Sequence, residues 1–319
     1  MRRIIGPTMT TRPLLFDAHA HLVAHDEVRY PRNPMQRAPD APYRPPGVIG
    51  RPGGVHGPEP VNEVPDAAPM LRWMAEQNVD GAVAVQKRMV YRYDNRYILD
   101  SSDAHPELFS AVVILDAEDP ATPDLVQRWV RDHRLAGVRV FGGRKPDGSM
   151  PWLNSAAALR TWAVAQRAGL AFDIEVLAQG GGGPSIPALI ELARRFPDVR
   201  LVLDHLLEPE MEEGDEHLGL DERYEALAPE RNVFFKFTSI NLDLCHAANA
   251  SPQKLLRRAV DLYGAERIMW GSDIGTSSGT YAHMVQRLLD ASVLLSTDEQ
   301  RAVWHDTGRR VFVKGGTKS

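Results

Sequence analysis

A chain of 319 residues with 43% hydrophobic and 25% charged side chains has the length of one large α/β domain and the composition of an ordinary globular protein. Its 42 acidic and 37 basic residues give a formal net charge of −5, which argues against nucleic-acid or membrane-surface partners, since both usually need a basic face. A single cysteine, Cys245, excludes an intrachain disulfide and makes the reducing cytoplasm the expected compartment, and no apolar stretch reaches the length of a bilayer span.

Residues 1–12 include the basic pair Arg2-Arg3 but no signal-peptide core, and are expected to be a ragged end before a single domain over 13–319. Pro13-Leu14-Leu15-Phe16 then leads into Asp17-Ala18-His19-Ala20-His21-Leu22. Residues two apart on a strand share a face, so His19 and His21 would project side by side, close enough for one divalent metal or one anionic group. A Pro-, Gly- and Arg-rich segment over 26–65, containing Tyr43, follows as a long loop of the kind that forms lids.

Beyond it, helical and strand patterns alternate. Helices are expected over 66–77, 95–105, 123–132, 155–168 (ended by Gly169), 186–196, 252–263, 281–289 and 297–307. Strands are expected over 81–86, 109–115, 137–141, 170–176, 199–205, 232–238 and 267–273. Counted from the His-x-His strand there are eight, which implies a parallel α/β sheet closed into a (β/α)8 TIM barrel. An open doubly wound sheet is the other arrangement this pattern allows.

His19, His21, Glu175, His205 and Asp273 all fall at expected strand ends, where barrel enzymes keep their chemistry. A core pair of hydrogen-bonded imidazoles is the plain reading of His19 and His21. Two further strands ending in Asp204-His205 and Ser272-Asp273 turn the pair into part of one site. Asp273 follows the apolar run Ile268-Met269-Trp270, where an unpaired carboxylate is costly, so a metal-binding or catalytic task explains it better than packing.

These motifs, with Val85-Gln86, Tyr93-Asp94-Asn95 and Gly137-Val138-Arg139, resemble the amidohydrolase superfamily, in the branch that contains the 2-pyrone-4,6-dicarboxylate lactonases. The resemblance runs from the first strand to the eighth. It implies that Asp273 accepts the proton of an attacking water. His19, His21, Glu175, His205 and Asp273 could together hold a divalent metal, with zinc favoured by the histidine-rich set. Glu175 and Asp173 could instead bind substrate hydroxyls or orient His205, and the pyrone lactonases are understood to work without metal. Arg139 and Arg144 are similar to an arginine pair that grips substrate carboxylates there. Tyr43, Lys87 and Arg88 are further candidates for the same anion pocket. Lys236 is expected to face inward and pair with a carboxylate or with substrate.

The expected function is therefore hydrolysis of a lactone of a carboxylated or sugar acid, with Asp273 activating water and His205 in the histidine cluster polarising the carbonyl. A metal-dependent non-oxidative decarboxylase and a non-catalytic binding barrel are the alternatives. The expected partner is a small carboxylated molecule, and homo-oligomerisation is left open.

Overall fold

The computed structural model describes residues 12–33, 64–177 and 181–313. Tyr43 and most of the long loop expected over 26–65 lie outside them. The first half runs β1 (Leu15–Leu22), α1 (Ala67–Gln77), β2 (Val79–Gln86), α2 (Arg88–Tyr91), α3 (Arg96–Ala104), β3 (Phe109–Ile114), α4 (Thr122–Asp132) and β4 (Leu135–Gly142). Then come α5 (Pro151–Asn154), α6 (Ala156–Ala168), β5 (Ala171–Val176), α7 (Ile186–Arg195), β6 (Arg200–Leu203), α8 (Glu222–Glu225) and β7 (Val233–Thr238). The chain continues through α9 (Ser239–Ala247), α10 (Pro252–Tyr263), β8 (Ile268–Gly271), α11 (Tyr281–Ala291), α12 (Thr297–Arg301) and α13 (Thr307–Phe312).

The strands pair in sequence order, β1 to β8, each parallel to the next. That order has no reversal point and so excludes a doubly wound sheet. The expected end holds at Gly169, which closes α6 in the left-handed region at φ 61°, and Asp66, placed inside the expected helix, is instead the cap of α1, accepting from Ala68 N–H at 3.0 Å. The short helices α2, α5 and α8 were not expected. Nor was α9, which buries Ile240, Asn241, Leu242, Asp243 and Cys245 and thus has no polar face to give it a readable period. The last expected helix is interrupted by a π-turn over Ala302–Asp306 and extends to Phe312.

Two apolar layers enclose the strands. Outside, the helices pack on the sheet, with Trp162 of α6 stacked on Phe172 of β5 at 3.8 Å between centroids. Inside, Phe16, Ala18, Val83, Val85, Val202 and Met269 form a floor that Val311 and Phe312 of α13 complete.

β1 carries a bulge: three steps from Asp17 to Ala20 match two from Ala82 to Ala84 on β2. Phe16 and Ala18 belong to the inner cluster, whereas Ala20 and Leu22 pack outward. The extra residue switches the alternation, so His19 and His21 point inward while Asp17 does not. Asp17 instead closes the seam between β1 and β8. Its Oδ1 accepts from Ser272 N–H at 2.9 Å and His19 N–H at 3.0 Å, and its Oδ2 accepts from Tyr281 O–H at 3.1 Å. Asp273 N–H donates to His19 C=O at 2.8 Å. Gly271 makes the approach possible, since a Cβ there would sit 2.5 Å from His19 Cβ.

Asp17→Ala should strand three buried donors, each worth about 1–3 kcal/mol, and lower stability by at least about 3 kcal/mol in urea denaturation. Tyr281→Phe removes one donor and should cost only about 1 kcal/mol.

Candidate active site

The inward-facing residues at the strand ends form a cluster centred on His19, His21 and Asp273. His21 Nδ1 lies 3.0 Å from Val85 C=O. A carbonyl only accepts, so Nδ1 carries the hydrogen and Nε2 presents a lone pair. Burial, then the nearby Lys87 charge, lower His21 to about 4, which leaves it neutral at pH 7. Its Nε2 nonetheless sits 3.1 Å from Asp273 Oδ1. Two acceptors this close need a cation between them. His19 completes the arrangement: its Nε2 is 3.6 Å from the same Oδ1, buried and without a hydrogen-bond partner. Donors bound at about 2.0–2.2 Å to one tetrahedral zinc ion stand roughly 3.3–3.6 Å apart, close to the 3.1 and 3.6 Å found here, so His19, His21 and Asp273 fit a divalent cation.

Asp273 follows β8 with φ 52°, a left-handed backbone held by its bond to His19 C=O. Ser277 Oγ donates to its Oδ2 at 3.2 Å. Burial pushes the carboxyl up, but contact with His21 and the surrounding imidazoles hold it well below the usual carboxylate range.

His205 also lies past its strand, which ends at Leu203. His205, Leu206, Leu207 and Glu208 all have positive φ, between 50° and 59°. Such backbone is costly for non-glycine residues and needs outside support. Asn241 Nδ2 donates to His205 C=O at 2.7 Å, and Thr238 Oγ1 holds His205 Nδ1 at 2.7 Å. The turn faces His205 towards His19, with ring centroids 5.2 Å apart.

Beneath the histidines lies a charged layer. Asp204 Oδ2 accepts from Arg139 Nε at 2.7 Å, while its Oδ1 is 3.1 Å from Lys236 Nζ and 3.4 Å from His19 Nδ1. Burial pushes Asp204 up, but Lys236 and Arg139 pull it well below the ordinary range. Lys236 also pairs with Asp173, which burial raises to about 6. Phe312 of the floor lies under Lys236, 5.1 Å from Nζ to the ring centroid.

Several expectations change with this geometry. The five-residue ligand set does not form one cluster: His19, His21 and Asp273 converge, His205 groups with His19 and Asp204, and Glu175 groups with His205 and Glu208. Of the two partners expected for Lys236, the structure shows carboxylates, Asp173 and Asp204, in a fully buried setting. Arg139 is engaged by Asp204 and, at 2.9 Å, by Glu175. It forms no pair with Arg144, which is exposed on the loop after β4. Asp204 was not picked out from the sequence, although it stands beside His205 after an apolar run. Lys87, just past β2, is buried with Nζ bonded to Thr276 Oγ1 of the loop after Asp273, and burial lowers its ammonium to about 8. Arg88 beside it stacks on Phe141 at 3.4 Å.

Because His21 resists protonation in the fold, the unfolded chain binds more protons between pH 6.5 and about 4. This contribution, on the order of 3 kcal/mol, is present above pH 6.5 and lost as the pH falls towards 4. Thermal unfolding of the metal-free protein should show its midpoint dropping across that window, and His21→Asn should flatten the drop.

A family model described as amidohydrolase matches residues 16–313. The chain is 27% identical over 212 residues to the L-fucono-1,5-lactonase of Burkholderia ambifaria, covering 65% of this chain and 68% of the lactonase. In fold it is similar to a candidate 2-pyrone-4,6-dicarboxylic acid hydrolase from Pseudomonas putida, with a TM-score of 0.67 and 21% identity over 94% of this chain and 97% of that one. A dihydroxybenzoic acid decarboxylase from Polaromonas, solved with manganese and an inhibitor, matches with a TM-score of 0.62 and 13% identity over 94% and 96% of the two chains. Likeness at these identities establishes the shared barrel, and the match over residues 16–313 establishes more: the chain belongs to the amidohydrolase family.

Proposed function

We propose that this amidohydrolase-family enzyme hydrolyses a lactone of a carboxylated or sugar-type acid. The observation that carries the reading is the pair of buried imidazole nitrogens, on His19 and His21, converging with one oxygen of an ionised Asp273. The sequence similarity to an L-fucono-1,5-lactonase supports the substrate class. His19, His21 and Asp273 would hold a divalent ion, with zinc suited to the nitrogen-rich set. When bound, such an ion would polarise the ester carbonyl and acidify water.

The chain's own groups do the rest. Asp273 accepts a proton from water as its oxygen adds to the carbonyl carbon. His205, held by Thr238 and Asn241, faces the same space and stabilises the developing oxyanion. The acyl–oxygen bond of the ring then breaks, and the proton passes from Asp273 to the departing ring oxygen, giving the open hydroxy acid. Arg139 orients Asp204 and Glu175 around this space, and Lys236 fixes Asp173 and Asp204 beneath it.

Asp273→Asn keeps the shape and removes the proton acceptor. Turnover on a lactone panel should fall at least the roughly 10²-fold typical of a lost general base. Near-native turnover would move the role to another residue. The purified enzyme should carry about one equivalent of metal per chain by elemental analysis, and His19→Ala should lose it together with activity. Full activity in exhaustively chelated protein would leave the ring-opening reading standing without the ion. Release of carbon dioxide from aromatic acids, with no lactone opened, would replace hydrolysis by decarboxylation.

A further inference from the structure

The buried cations of the site are unequally matched. Arg139 meets Asp204 and Glu175, and Lys236 meets Asp173 and Asp204. Lys87 is as deeply placed, 5% exposed, yet among the described residues its hydrogen-bond partner is the neutral hydroxyl of Thr276. Asp273 and Glu175 act on it only as nearby charges. A desolvated ammonium hydrogen-bonded to a hydroxyl, with its carboxylates acting only from a distance, is expensive to keep, and an arriving anion would offset that cost.

Its position fits such an arrival. Lys87 directly follows β2, the neighbour of the His21 strand. Thr276 is tied to the catalytic end by a turn in which Thr276 N–H donates to Asp273 C=O at 3.1 Å. An anionic group bound beside the Lys87–Thr276 pair would thus be held one turn away from Asp273. Arg139, by contrast, already has two carboxylates from the protein itself.

We propose that Lys87 Nζ and Thr276 Oγ1 form the subsite that takes the carboxylate of an anionic substrate, so that Lys87 decides between acidic and neutral ring compounds. The proposal rests on the lactonase reading for the identity of the ring.

Tetrahydropyran-2-carboxylate and its carboxamide, which share a ring and cannot be hydrolysed as lactones, test it by calorimetric titration of the full-chain enzyme. The wild type should bind the carboxylate more tightly than the amide. Lys87→Met should weaken the carboxylate by at least about 30-fold and the amide by less than about twofold. Lys87→Arg should restore the carboxylate preference, and circular dichroism should show all three proteins folded alike. The proposal is overturned by equal losses for both probes, by a preference that survives in Lys87→Met, or by a wild type that does not distinguish them. Failure of the lactonase reading would look different: no ring opening of any lactone by the wild type, with the binding contrast intact.

Discussion

The site depends on how one buried carboxylate closes the sheet. Asp17 takes three donors from β1, from the residue after β8 and from α11, across an edge that has no regular ladder. Together with the bond from Asp273 N–H to His19 C=O, that junction fixes the register across this seam, which sets the distance from His19 and His21 to Asp273. The bulge in β1 and the absence of a side chain at Gly271 serve the same closure. One feature of the strand thus turns two imidazoles inward and leaves the carboxylate before them free to tie the seam.

The interior is layered by polarity. Val311, Phe312 and their neighbours form an apolar floor, the charges of Lys236, Asp173, Asp204 and Arg139 lie above it, and the histidines lie above those. Such buried ion pairs add little net stability, because desolvation offsets most of their attraction. Their effect is on placement. Each carboxylate is held from at least one side by a cation, so the group next to His19 cannot rotate away without stranding Lys236 or Arg139. The price is a core that tolerates few substitutions.

The sequence carried the fold well because hydrophobic runs, caps and glycines agreed with one another: Asp66 and Gly169 mark helix ends where the structure has them. It was less informative wherever an element had no contrast between its faces, as in α9. Local backbone also escaped it. The strands before His205 and Asp273 stop two residues earlier than their apolar runs suggested, and both residues adopt left-handed conformations, which histidine and aspartate tolerate better than most side chains but do not by themselves announce. Strict alternation along β1 would have grouped Asp17 with His19, since a bulge leaves no mark in an Asp-Ala-His-Ala-His string. Pairing between charged groups was likewise hidden. The types of Arg139 and Lys236 suggested anion-facing cations, but only their placement shows that both meet Asp204.

The floor has a bearing on how the molecule is made. Phe16 stands near the beginning of the barrel, yet it packs against Gly308, and the plug beneath Lys236 is supplied by Phe312. During synthesis the first strand leaves the ribosome long before either residue exists. Until they arrive, the nascent sheet has an open base with buried charges above it and unpaired edges at both ends, a form prone to association with other chains. The barrel can therefore be sealed from below only after α13, the element that follows all eight strands, has been made.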